Sequence, residues 1–176
     1  MRAVLAARPS EATLLLFAML SGVFHFLGTL ASLWLGREAS GLGQDELLSR
    51  IGAEFAGALV FRTLALYGVA LAAWTIARAF GGAGSIYASR AALFWSALVA
   101  APVMLGAALL SILAGPSLGG QADTVFRIAG GMAFAVVFAF CLAEAQGFRS
   151  GWRVLAVMAL LAMAAFTLLA ILSTLI

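Results

Sequence analysis

The sequence predicts an all-α fold, namely a polytopic membrane protein built as a bundle of five transmembrane helices. Hydrophobic residues make up 65% of the 176 residues and charged residues only 10%, whereas a soluble domain is about half apolar and a quarter charged. The apolar residues also form five runs long enough to cross a bilayer, and nearly all charges lie in or near the gaps between them. Lipid is therefore the predicted solvent for most of the chain.

The span boundaries follow from helix geometry, because about 20 residues rising about 1.5 Å each cross a hydrocarbon core of roughly 30 Å. Residues 1–13 are predicted to form a short cytoplasmic head, and residues 14–176 one five-helix membrane domain. The first apolar run is too long for a normal signal peptide and is predicted to be retained. The predicted spans cover about residues 14–35, 56–77, 91–114, 125–145 and 154–176.

Two segments carry additional structural signals. The long loop of residues 36–55 holds four of the seven acidic residues, and its second half has a helical pattern of apolar residues. That half predicts either an interfacial helix lying on the bilayer surface or an extension of the second span. Pro102 lies near the middle of the third span and predicts a kink there.

The distribution of arginine predicts the orientation of the bundle. The head and the second and fourth connectors together hold six of the ten arginines, and the opposite side holds four. Short loops rich in arginine stay in the cytoplasm. We therefore expect the N-terminus in the cytoplasm and the C-terminus outside.

Several function classes lack their motifs. The chain has no phosphate-binding glycine-rich loop with a lysine, no nucleophile elbow, no paired-histidine zinc motif and no Cys-x-x-Cys. Its arginines are scattered at span ends, so the pI near 10 does not indicate nucleic-acid binding. The sequence therefore predicts a protein that is not an enzyme and that uses no cofactor or metal.

Two ionisable residues lie inside predicted spans. His25 is near the centre of the first span, where such a group is costly and faces other helices by default. It is interpreted either as a hydrogen-bonded packing residue or as a proton relay or ligand contact. Arg62 lies about two turns inside the second span, and it is interpreted either as an anchor whose stem reaches the outer surface or as part of a transport site.

Charged residues at the cytoplasmic side form a second group. Glu144 ends the fourth span and is expected to form a surface ion pair with a nearby arginine, either Arg149 or Arg153. The arginines of the two cytoplasmic connectors predict a basic rim facing anionic lipid or a partner protein. The members of this rim are Arg78, Arg90, Arg149 and Arg153.

The connector of residues 77–95 carries a family resemblance. It reads Arg-Ala-Phe-Gly-Gly-Ala-Gly-Ser and continues through Tyr87 and Arg90 to Ala-Leu-Phe-Trp. With five spans and a proline in the third, residues 12–176 resemble a bacterial member of the Yip domain family. The resemblance implies a five-helix domain in the bacterial inner membrane. It does not imply the GTPase binding of eukaryotic relatives, because their Asp-Leu-Tyr-Gly-Pro motif is absent.

Three functional hypotheses fit the sequence. The first is a non-enzymatic protein of the Yip domain type that organises the membrane through protein or lipid contacts. The second is a small transporter or permease that uses His25 and the helix kinked at Pro102 around a cavity. The third is an accessory subunit of a larger membrane complex. The expected partners are the lipid bilayer and either another membrane protein or a second copy of this chain.

Overall fold

The fold is known from a computed structural model, which describes residues 1–35, 43–114 and 120–175. Within these ranges the chain is helical and contains no strand. The helices are α1 (Arg2–Ala7), α2 (Glu11–Leu35), α3 (Gln44–Ala56), α4 (Arg62–Ala79), α5 (Ile86–Ala114), α6 (Gly120–Gln146) and α7 (Gly151–Leu175). Five helical stretches are long and apolar enough to cross a membrane, which confirms the predicted fold class.

The second span is longer than its apolar run. A π-helical turn, Gly57–Phe61, joins α3 to α4 without a break, so one continuous helix runs through Gln44–Ala79. Of the two predictions for the second half of the preceding loop, the extension of the span is therefore confirmed. The first half of that loop, residues 36–42, lies outside the described residues.

The bundle has two ends, which we call proximal and distal. The proximal end carries α1, the turn from α4 to α5 and the turn from α6 to α7, whereas α2 ends and α6 begins at the distal end. Which end faces the cytoplasm stays a prediction.

The core surrounds α5, which packs against both α2 and α6. Small residues on the buried face of α5 let its backbone approach its neighbours closely. Most of the large buried side chains belong to the proximal half of the bundle. The core cluster consists of Leu14, Ala18, Ala70, Ala91, Leu93, Phe94, Phe138 and Leu142. Side chains of α1, including Met1 and Leu5, pack against it.

The π-helical turn lies directly against α2. A Cβ atom added to Gly22 would come within 2.5 Å of the carbonyl oxygen of Ala58 in that turn. A side chain at position 22 would therefore force the two helices apart. The close approach holds the second span against the middle of the first.

Candidate functional site

A cavity of about 480 Å³ opens in the distal half of the bundle, between α2, α5 and α6. This volume falls within the range of small-molecule sites. The wall contributed by α5 is apolar and begins at Met104, half a turn beyond Pro102. Polar and ionisable side chains come from three helices. They are His25, Thr29 and Ser32 of α2, Glu54 of α3 and Arg127 of α6.

Helical spacing explains how α2 supplies three of these groups. His25, Thr29 and Ser32 follow one another at intervals of four and three residues, so they share one face. Gly28 lies on the same face and lets α5 come close, since a Cβ atom there would be 3.3 Å from the Cβ atom of Ala108. The polar face of α2 is therefore held directly beside α5.

The hydroxyl groups of the cavity are already bonded to their own helix. Thr29 Oγ1 donates to the carbonyl oxygen of His25 at 3.3 Å, and Ser32 Oγ donates to that of Gly28 at 3.0 Å. A hydroxyl whose proton is used in this way still offers lone pairs. Toward the cavity, Thr29 and Ser32 therefore present hydrogen-bond acceptors.

His25 lies among charges of both signs. It is exposed, and it lines the cavity together with Glu54 and Arg127. The arrangement thus brings an imidazole, a carboxylate and a guanidinium to one cavity. It can bind a solute through donors and acceptors, or pass a proton between imidazole and carboxylate.

Arg62 does not line this cavity. Its Nη1 atom donates to Ser21 Oγ at 2.7 Å, and Ser21, which is 1% exposed, donates in turn to the carbonyl oxygen of Ala18 at 2.7 Å. Among the described residues, no carboxylate lies within salt-bridge distance of Arg62. The guanidinium therefore ties α4 to α2 near mid-span, a contact within the bundle that differs from the reach to the outer surface in the anchor interpretation.

Two further cavity residues were not identified by sequence reasoning. Glu54 lies in the segment predicted to be a loop and Arg127 lies near the start of the fourth predicted span, so each is near the end of an apolar run. The available signal was that both lie at the same end of the bundle as the distal half of α2. Sequence spacing within one helix could not reveal this, because His25, Glu54 and Arg127 come from three different helices.

At the proximal end, Glu144 and Arg90 take partners other than those expected. Glu144 pairs with Arg2 of α1 rather than with Arg149 or Arg153. The hydrogen bond to Glu144, together with its charge, raises the pKa of the Arg2 guanidinium above its ordinary value.

Arg90 turns inward from the predicted basic rim. Its Nη2 atom donates to Glu11 Oε1 at 2.7 Å, and its guanidinium lies 6.0 Å from the centre of the Tyr67 ring. That distance allows a cation–π contact. The remaining members of the rim are all exposed. They are Arg78, Arg149 and Arg153.

A buried hydrogen-bond network closes the proximal end. Gln146 is 1% exposed, and its Nε2 atom donates to Ser89 Oγ at 2.6 Å. The backbone N–H of Gly84 donates to Gln146 Oε1 at 3.1 Å, and that of Ala83 to the Gln146 carbonyl oxygen at 3.0 Å. Trp74 Nε1 donates to the carbonyl oxygen of Gly84 at 3.2 Å. The network is structural, because its polar groups satisfy one another and leave none for a ligand.

Comparisons of the chain with protein-family models, with curated proteins and with solved structures gave no match. Membership of the Yip domain family therefore stays a prediction that rests on the layout of the spans and on one connector.

Proposed function

We propose that this protein is a small permease-like membrane protein, without enzymatic activity, that binds a polar solute in the distal cavity. We place it in the bacterial inner membrane with its proximal end in the cytoplasm. One observation carries the proposal, namely that His25 is exposed in a cavity which it shares with Glu54 and Arg127. An imidazole packed dry between helices would have favoured the structural interpretation instead.

The cost of placing ionisable groups at this depth supports a binding role. Charged and titratable side chains within spans are rare, and they mark ion, proton or substrate pathways. Here groups of opposite sign line one cavity. A solute that both donates and accepts hydrogen bonds fits them.

Two helix irregularities flank the cavity and support the same role. The π-helical turn begins three residues after Glu54, and such turns are frequent at functional sites. Pro102 interrupts the hydrogen bonding of α5 just before the cavity wall. Transporter sites commonly form where helices are interrupted in this way.

Thiol labelling tests whether the cavity admits water and polar solutes. In a Cys141→Ala background, His25→Cys is expected to react with a charged, membrane-impermeant thiol reagent at least about tenfold faster than Leu27→Cys. Leu27 is a matched control because it lies on the same helix, is 44% exposed and does not line the cavity. Glu54→Cys should react like His25→Cys, since it lines the same space.

The result that contradicts the proposal is equal, slow labelling of all three positions, because a thiol in lipid ionises poorly and does not meet a charged reagent. Solute identity is then sought by thermal stabilisation in detergent with a set of small polar metabolites. A stabilising compound must lose its effect in Glu54→Gln if it binds in this cavity.

A second candidate function, an organising or accessory protein acting through contacts, is favoured by α7. None of the most apolar 18-residue window of this helix is buried, and α7 packs mainly against α6. A whole helix face is thus available to another membrane protein. Purification in mild detergent with a stoichiometric partner, together with a non-reactive cavity, would favour this candidate over the permease.

A further inference from the structure

A second and larger concavity lies between α4 and α7. It has a volume of about 650 Å³ and is separate from the distal cavity, with which it shares no lining residue. We call it the proximal groove. Most of its walls are apolar, and among the residues that form them are Val69, Ile76, Phe138, Val154, Met158 and Leu161.

The polar residues of the proximal groove are concentrated at one end. Arg149, Ser150 and Arg153 line that end, where the turn from α6 enters α7. Both arginines are exposed, and among the described residues neither has a carboxylate within salt-bridge distance. The nearest acid in sequence, Glu144, is paired with Arg2. The groove therefore ends in two cations that no described carboxylate neutralises.

The length of the groove matches one leaflet of a bilayer. Its lining on α7 runs from Arg153 to Leu161, and the polar end begins at Arg149. On α4 and the residue after it the lining is apolar throughout and runs from Val69 to Phe80, and these eleven residue steps correspond to roughly 16 Å, against a half-thickness of about 15 Å for the hydrocarbon core. The apolar part thus extends over the depth that an acyl chain occupies, with the arginines at headgroup level.

We propose that the proximal groove is a binding site for one anionic phospholipid of the surrounding leaflet. An acyl chain lies along the apolar walls, and the phosphate lies between the guanidinium groups of Arg149 and Arg153. Guanidinium matches phosphate in geometry and charge. The ammonium group of a zwitterionic headgroup would place a positive charge beside both arginines, so zwitterionic lipids bind more weakly than anionic lipids.

Charge complementarity favours this occupant over a second helix. A transmembrane helix that filled the groove would bring an apolar surface against two exposed arginines and leave their charge unpaired. The proposal does not depend on whether the distal cavity carries a solute, because the two spaces share no lining residue.

Native mass spectrometry of the purified, delipidated protein tests the proposal, with phosphatidylglycerol and phosphatidylcholine of identical acyl chains as probes. One phosphatidylglycerol is expected to bind more tightly than phosphatidylcholine. Each of the changes Arg149→Gln and Arg153→Gln should weaken phosphatidylglycerol binding roughly fivefold, in line with the energy of one basic side chain near anionic headgroups. Binding of phosphatidylcholine should change little.

Arg78→Gln is the matched control. Arg78 is exposed at the same end of the bundle but does not line the groove, so its replacement should leave phosphatidylglycerol binding within twofold. Val157→Trp, which fills the middle of the groove, should reduce binding of both lipids while both arginines remain.

Three outcomes would overturn the proposal. One is equal binding of the two lipids, and another is a loss in Arg78→Gln as large as in Arg153→Gln. The third is disulfide-linked dimers formed in native membranes by Val157→Cys in a Cys141→Ala background, since they would show that a second copy covers the groove.

Discussion

Gln146 is a buried polar residue whose hydrogen bonds join separate parts of the fold. It belongs to α6, yet its side chain and carbonyl oxygen bind the turn that leads from α4 into α5. The fit is close, because a Cβ atom on Gly84 would lie 2.2 Å from the Ala145 carbonyl oxygen. The turn can therefore approach α6 only with glycine at this position.

Replacing Gln146 by leucine, which has a similar volume, should cost about 2–3 kcal/mol of stability. The change leaves the buried N–H of Gly84 and the hydroxyl of Ser89 without their partner, and each unsatisfied group costs about 1–3 kcal/mol. Unfolding of the purified protein in detergent measures the loss. The control is Gln44→Leu at the exposed start of α3, where we expect less than about 0.5 kcal/mol. Equal stabilities of the two variants would show that the Gln146 network contributes nothing.

At the level of single residues, sequence reasoning located groups but not their partners. His25 could be singled out as a candidate because its position deep in an apolar run can be read directly from the sequence. The pairs Arg62–Ser21, Arg2–Glu144 and Arg90–Glu11 join residues 41, 142 and 79 positions apart. Spacing rules within a helix relate residues three or four positions apart, so these pairs could not be predicted from the sequence.

The π-helical turn determines which side chains of the second span face the cavity. One extra residue in a helix rotates everything before it by about 100° relative to everything after it. Glu54 precedes the turn and lines the cavity, while Arg62 follows it and binds Ser21 on α2. Both polar residues can therefore face the same neighbour.

Deleting Val60 from this turn should restore a regular α-helix and rotate Glu54 out of the cavity. In a Cys141→Ala background, Glu54→Cys should then lose most of its reactivity toward a charged thiol reagent. Deleting Gly52 is the control, because position 52 precedes Glu54 and its removal leaves the register of Glu54 relative to α4 unchanged. If both deletions had the same effect on labelling, the π-helical turn would not set the orientation of Glu54.

The elements themselves were largely predictable. The five apolar runs gave the spans, because in a membrane both length and composition are dictated by the hydrocarbon core. α3, the polar continuation of the second span, could not be assigned from sequence, since an amphipathic pattern fits both a helix on the bilayer surface and an extension of the span. The helix at Arg2–Ala7 was missed, because its stability depends on contacts of Met1 and Leu5 with the core rather than on a pattern of its own.

For the whole molecule, five alternating spans place the proximal and distal ends on opposite sides of the membrane. The arginine distribution predicts that the proximal end is cytoplasmic. Green fluorescent protein fused after Phe148 should therefore fluoresce, and alkaline phosphatase fused after Leu175 should be active. The exchanged pair of fusions serves as control and should be dark and inactive. The reverse pattern would place the distal end in the cytoplasm and contradict the orientation.

The uneven distribution of contacts along the bundle has a mechanical consequence. The proximal half contains the core and the Gln146 network, whereas the distal halves of α2, α5 and α6 surround the distal cavity. Any change in the size of the cavity would therefore rotate these three helices about the proximal end, where they are held together. A covalent link between Thr29 and Ala107, which both line the distal cavity, would fix the width of the cavity, while a link near Gly84 would leave the cavity free to widen.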